Sequence, residues 1–124
     1  MAWKRLIIFF SFCIYISISH AEEFVFKKII NLNDPVGNVL SEWDRPNGLH
    51  IKKISTPIGV IGIIFESRPN VTVDASAIAM KAGNAVILRG GKDSFFTSQK
   101  LSAAIRESFN AAGLPENTVQ MVPI

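Results

Sequence analysis

Two short stretches concentrate the residues able to do chemistry. Glu66-Ser67-Arg68-Pro69-Asn70 brings a carboxylate, a hydroxyl, a guanidinium and a carboxamide into one run, and Arg89-Gly90-Gly91-Lys92-Asp93 sets cations around a glycine pair. In the second run the glycines let backbone N–H groups approach a ligand closely, and the flanking cations suit a phosphate. The pattern is neither the GxGxxG dinucleotide fingerprint nor a P-loop, and a glycine pair after a strand also serves as a plain turn. In the first run Asn70 is either an amide donor to a developing oxyanion or, helped by Thr72, the cap of the helix that follows. Its place just before a helix N-terminus favours anions.

Other chemistries find little support. The only cysteine is Cys13, so neither an intrachain disulfide nor a cysteine-based zinc site can form. Cys13 sits in an apolar leader with no basic partner to activate its thiol. His20 and His50 lie far apart and have no metal-ligand spacing, so each reads as a surface residue and no metal site is expected. The net charge is +3, with Lys and Arg scattered singly or in pairs such as Lys27-Lys28 and Lys52-Lys53. No basic stripe marks a nucleic-acid partner.

The elements that must position the two runs follow from periodicity. With 124 residues, 48% of them apolar, there is room for one modest domain with a core. Gly59 to Phe65 is a continuous apolar run, suited to a strand covered on both faces of a parallel sheet. Arg68-Pro69-Asn70 breaks it. Val73 to Ala82 has apolar residues at helical spacing, and Gly83 supplies the left-handed stop. Ala85 to Leu88 is a second strand. A second helix is expected from about Ser94 to Ala112, with Leu101, Ala104, Ile105, Ser108 and Phe109 on one face and Gly113 and Pro115 ending it. Thr118 to Val122 is a third strand. The fold class is therefore α/β, a βαβαβ unit with a parallel sheet and right-handed crossovers. Ligands of such sheets bind outside the carboxyl ends of the strands, where both polar runs fall.

Upstream, Leu49 to Ser55 reads as a half-exposed strand and Arg45-Pro46-Asn47-Gly48 as a turn. Asp34-Pro35 is expected to start a short helix, with Asp34 as its N-cap. The first residues differ in kind. Lys4 and Arg5 precede the apolar run Leu6–Ile18, then Ser19-His20-Ala21, which is the layout of a secretory signal peptide. That run is shorter than the ~20 residues a membrane span needs.

Several strings occur in a fixed order: Asp34-Pro35-Val36-Gly37, Arg45-Pro46-Asn47-Gly48-Leu49, Pro57 through Phe65 into Glu66-Ser67-Arg68-Pro69-Asn70-Val71-Thr72, and Gly83-Asn84-Ala85-Val86-Ile87-Leu88-Arg89-Gly90-Gly91. From about Lys27 to its end the chain resembles gamma-glutamyl phosphate reductase, also called glutamate-5-semialdehyde dehydrogenase, of the aldehyde dehydrogenase superfamily. The resemblance implies a partial Rossmann-like sheet of the aldehyde dehydrogenase type. The implied activity is NADPH-dependent reduction of the small molecule gamma-glutamyl phosphate to glutamate semialdehyde, in the cytoplasm, for proline biosynthesis. It places Arg89, Gly90, Gly91 and Lys92 beside the adenosine ribose and its 2′-phosphate, with Ser67 in the same cofactor group. Arg68 and Asn70 go to the substrate, Asn70 resembling the superfamily's oxyanion-stabilising asparagine. Two departures are visible: Lys92 stands where the family more often has a small residue, and the spacing from Asn70 to the next glycine differs from other aldehyde dehydrogenases.

The family attacks its acyl phosphate with a cysteine thiolate, forming a thioester that hydride reduces. That cysteine belongs to a later catalytic domain, and the loop for the cofactor pyrophosphate would follow the third strand. The organisation expected is a signal-like leader over residues 1–21, a partial N-terminal segment over 22–48 and a truncated NADP-binding domain over 49–124. Such a fragment is expected to be inactive alone, whether as a gene remnant or beside a complementing fragment. The alternative is a small exported, non-catalytic protein that reuses half of the nucleotide-binding fold.

Overall fold

The computed structural model describes residues 27–123. The leader expected over residues 1–21, with Cys13 and His20, lies outside the described residues. After helical residues 27–31 the chain enters a turn. No helix starts at Asp34, contrary to the capping pattern. Asp34 Oδ1 instead accepts from the Val36 N–H at 2.9 Å, and Asp34 O accepts from Asn38 Nδ2 at 2.7 Å. Gly37, at φ +80, turns the chain out of the helical region before a helix can propagate.

Strands β1 (Val39–Asp44) and β2 (His50–Ile54) form an antiparallel hairpin. Its turn is the expected Arg45-Pro46-Asn47-Gly48. The Gly48 N–H donates to Arg45 O at 2.9 Å, the Arg45 N–H to Leu49 O at 2.8 Å, and Gly48 takes φ +83. One hairpin face carries the cross-strand pairs Glu42–Lys52 and Asp44–His50. The His50 ring lies between two carboxylates, with Nε2 at 2.6 Å from Glu42 Oε1 and Nδ1 at 2.6 Å from Asp44 Oδ1.

Strand β3 (Val60–Ile64), helix α1 (Asn70–Lys81), strand β4 (Ala85–Arg89), helix α2 (Phe95–Ala111) and strand β5 (Val119–Met121) build the βαβαβ unit. The sheet is parallel, in the order β3-β4-β5. Because that order advances in one direction, right-handed crossovers place both helices on the same face. Val86, Leu88 and Val119 point into this layer and join Val73, Ala79, Ile105 and Phe109 as the core. Full burial of a side chain such as Phe109 contributes about 1.5–3 kcal/mol.

Both helices end as their glycines require. Gly83, at φ +71, donates to Met80 O at 2.9 Å, while Asn84 donates to Ala79 O at 2.9 Å. Leu114 repeats the second bond to Phe109 O at 2.8 Å, after Gly113 at φ +75. These are Schellman closures, which use carbonyls that the last helical turn leaves open. Asn84 is buried, and its Oδ1 accepts the Gly59 N–H at 2.9 Å, which ties the start of β3 to the end of α1.

Two features depart from the periodicity. On α2 the buried residues are Ser98, Ser102, Ile105, Ser108 and Phe109, so Ile105, Ser108 and Phe109 face inward as expected, whereas Leu101 is only half-buried and Ala104 is exposed. Strand β3 was expected to be covered on both faces. Val60 is 66% exposed and Ile64 83%, while Ile61 and Ile63 are half-buried. With both helices on one face, the other face of the sheet is bare among the described residues. No helix among them is long and apolar enough to cross a membrane.

Candidate functional site

The two polar runs meet at the carboxyl ends of β3 and β4. The Phe65 N–H donates to Arg89 O at 2.9 Å, which carries the ladder one residue past β3 and aligns the loops that follow. Gly90 is buried beneath Phe65 and Met121. A Cβ added there would lie 3.2 Å from Phe65 Cε2 and 3.3 Å from Met121 Cε. Packing alone therefore accounts for glycine at this position. Gly91 is different. Its φ of −72 and ψ of 162 suit any residue, and an added Cβ would meet Glu66 Cα at 3.4 Å and the Ser67 N at 3.5 Å, ordinary contacts. Nothing in the surrounding chain requires glycine at Gly91.

The loop after Gly91 closes into a short 3-10 turn, Lys92–Ser94, and then α2. Ser67 Oγ donates to Asp93 Oδ2 at 3.3 Å, joining the two loops side chain to side chain. Asp93 was absent from the expected site, although a carboxylate inside a polar glycine-rich loop was the signal for it. Arg89 and Lys92 are exposed and form no ion pair among the described residues, so both guanidinium and ammonium are available to an anion. Ser67, Arg89, Gly91 and Lys92 thus share one edge. Gly90 lends it only backbone.

Arg68 and Asn70 lie a turn further on. The Arg68 N–H donates to Glu66 O, Val71 N–H to Arg68 O at 3.0 Å and Thr72 N–H to Pro69 O at 3.0 Å. The chain therefore tightens into α1 without a side-chain cap: Pro69 holds the N-cap position. Asn70 is the first residue of the helix, and its Nδ2 donates to Asp74 Oδ2 at 3.4 Å. The capping reading of Asn70 and Thr72 is overturned. Proline, with its fixed helical φ, starts the turn in their stead. Thr72 Oγ1 is buried without a hydrogen-bond partner, as are Ser94 Oγ and Ser98 Oγ at the start of α2. Among the described residues no hydrogen bond links Asn70 or the Arg68 side chain to the Ser67–Asp93 pair. Among them, too, no group of three or more His, Cys, Asp or Glu side chains is placed to hold a metal ion.

Chemically, this edge offers a hydroxyl and, among the described residues, two cations without an ion pair, beside the half-buried Gly91 backbone. That set suits a ribose carrying a phosphate. No family model matches the chain. Among curated proteins it is similar to gamma-glutamyl phosphate reductase of Brucella anthropi, with 58% identity over 98 residues, 79% of this chain and 23% of that protein. Among solved structures it is similar to gamma-glutamyl phosphate reductase of Thermotoga maritima, with 32% identity and a TM-score of 0.77 over 98% of this chain and 33% of the other. Propionaldehyde dehydrogenase of Rhodopseudomonas palustris, at 20% identity and a TM-score of 0.66, shares the fold. The resemblance read from the sequence is thus shown, as is the partial α/β fold of the aldehyde dehydrogenase type. The chain spans about a quarter of the length of the curated relative it matches.

Proposed function

We propose that this chain is the first part of the nucleotide-binding unit of a gamma-glutamyl phosphate reductase. It would serve the NADPH-dependent reduction of gamma-glutamyl phosphate to glutamate-5-semialdehyde, in proline biosynthesis, together with the sequence that its relatives carry outside the matched quarter. Supporting this reading above all is the pairing of the loops after β3 and β4, which sets Ser67, Arg89, Gly91 and Lys92 on one edge. In this reading 49–124 is the nucleotide-binding segment, 22–48 leads into it, and the setting is the cytoplasm.

The residues present fit the adenosine end of the cofactor. Arg89 and Lys92 would neutralise the 2′-phosphate, and a guanidinium suits its planar, bidentate recognition. Ser67, held toward Asp93, would offer its hydroxyl to the ribose, and the Gly91 backbone would approach the same sugar. The bound cofactor would supply hydride. On the substrate side, Arg68 would pair with an anionic group and the Asn70 amide would orient the acyl oxygen, released from Asp74 to do so. The reacting cysteine would come from outside residues 27–123.

Calorimetric titration of the chain with NADPH and with NADH tests the reading. NADPH is expected to bind more tightly, and Arg89→Ala to erase the difference. One charge-assisted contact is worth about 1.5–3 kcal/mol, or roughly tenfold to a hundredfold in Kd. Equal affinity for the two nucleotides, or no effect of Arg89→Ala, would overturn the assignment.

A further inference from the structure

Asp93 is exposed in the turn after β4, and its carboxylate accepts from Ser67 Oγ at 3.3 Å, across 26 residues of sequence. An acid at the start of a helix commonly serves as its cap. Capping does not account for this one, because neither the turn Lys92–Ser94 nor α2 has a side-chain cap hydrogen bond. Nor does charge pairing. Among the described residues Asp93 forms no ion pair, although Lys92 precedes it and Arg89 stands on the same edge. The Gly91 and Glu66-Ser67 backbones already lie near van der Waals contact, so the bond fastens two loops that packing has brought together.

The direction of that bond decides what Ser67 can offer a ligand. A carboxylate only accepts, so the single hydroxyl proton of Ser67 goes to Asp93. Toward a ribose, Ser67 Oγ is then left as an acceptor, and the Asp93 carboxylate is an acceptor too. Both match a sugar hydroxyl, which donates. Neither matches a phosphate, whose ionised oxygens only accept. Arg89 and Lys92 are pure donors with the reverse preference. In dinucleotide sites an acidic side chain bonds a free ribose 2′-hydroxyl, and an arginine accommodates a 2′-phosphate. Here both kinds of side chain occupy one edge.

We infer that Asp93 is a specificity-determining residue of this nucleotide site. It turns Ser67 into an acceptor for ribose hydroxyls, and its charge opposes a 2′-phosphate, so the edge takes phosphorylated and unphosphorylated nicotinamide nucleotides with only a moderated preference for the first. The inference rests on the nucleotide reading given above. A phosphate monoester carries close to two negative charges at neutral pH. At the separations that one sugar allows, with solvent on one side, its repulsion from a single carboxylate amounts to roughly threefold to tenfold in Kd. Because Asp93 is exposed, added salt screens that repulsion.

The test titrates the full chain and its Asp93→Asn variant with NADPH and with NADH, at low and at high salt. Asparagine keeps an oxygen that can accept from Ser67 and removes only the charge. NADPH affinity should rise roughly threefold to tenfold in the variant and NADH affinity should not, and the gain should shrink at high salt. Asp93→Glu, which restores the charge, should return the ratio of the two affinities toward wild type. Ser67→Ala should weaken both nucleotides alike. Glu107→Gln, an equal change of net charge at an exposed position of α2, should leave the ratio where it was. The inference is overturned if Asp93→Asn leaves the ratio unchanged or moves it toward NADH, if its effect is undiminished by salt, or if Glu107→Gln shifts the ratio as far. An unchanged ratio in Asp93→Asn, with the preference still erased by Arg89→Ala, would remove Asp93 and leave the nucleotide reading standing. Equal affinities in wild type that Asp93→Asn turns into a preference for NADPH would do the reverse. No binding of either nucleotide would sink both.

Discussion

Replacing Gly91 with alanine separates what the fold needs from what a ligand needs. At φ −72 and ψ 162 alanine is as comfortable as glycine, so no backbone strain enters. The new methyl would rest 3.4 Å from Glu66 Cα and 3.5 Å from the Ser67 N, at van der Waals distance. Restricting the unfolded chain should then raise stability by about 0.4–1 kcal/mol, and no contact opposes it. In a domain of this size that is an increase in Tm of roughly 2–8 °C. The same methyl stands between the loops where a ribose would approach the Gly91 backbone. NADPH affinity should fall about tenfold, the equivalent of ~1.4 kcal/mol. Thermal melts and calorimetric titration of wild type and Gly91→Ala provide both readings. A lowered Tm would show that the close approach of the loops is tighter than the distances imply. Unchanged NADPH affinity would show that Gly91 faces no ligand, and the site would have to be rebuilt around Arg89 and Ser67.

Gly83→Ala should behave in the opposite way: φ +71 disfavours alanine, and the methyl would lie 2.8 Å from Pro57 Cγ. Left-handed strain and overpacking together should cost about 2–4 kcal/mol, and a Tm lowered by less than about 5 °C would contradict this. The chain alone should show no reductase turnover with NADPH and an acyl phosphate, because its single cysteine, Cys13, has no activating partner in sequence. A coupled spectrophotometric assay checks this, and turnover that survives Cys13→Ser would show the chemistry to be misassigned.

What could be read from sequence depended on whether a local rule met competition. The glycine stops at Gly83 and Gly113, the turn over Arg45-Pro46-Asn47-Gly48 and the βαβαβ order were legible because each is decided by a few neighbouring residues, whereas the strand Val39–Asp44 that makes that turn a hairpin was not read. The Asp34-Pro35 helix failed where two rules collided: a good N-cap lost to Gly37, whose positive φ sends the chain toward β1. The cap reading of Asn70 failed for a similar reason, since Pro69 already occupies the cap position and the asparagine side chain turns to Asp74 one helical turn on. The bond between Ser67 and Asp93 spans 26 residues and depends on the parallel register of β3 with β4. No local pattern carries that information. The difference between Gly90 and Gly91 was equally hidden, because the sequence shows a pair and only the packing separates a glycine beneath Phe65 and Met121 from one at ordinary distance from the Glu66-Ser67 backbone.

That separation bears on how the site and the bare face are related. Register alternates along β4, so Arg89 shares its side of the sheet with Ile87 and is paired with Ile64 of β3. The guanidinium proposed to read the 2′-phosphate therefore rises from the rim of the uncovered face, while Gly90 and Leu88 belong to the packed one. An element seated over Gly62 and Ile87 would end beside Arg89, lower the dielectric around it and limit the directions its long side chain can take. Charge-assisted bonds strengthen as water is excluded, and a side chain held in place loses less entropy when it binds. In the proposed reading Arg89 and Lys92 are the cations of a nucleotide site, and among the described residues they stand exposed at the rim of the uncovered face. By reciprocity, any nucleotide gripped by Arg89 in the covered state stabilises the cover as much as the cover stabilises the grip.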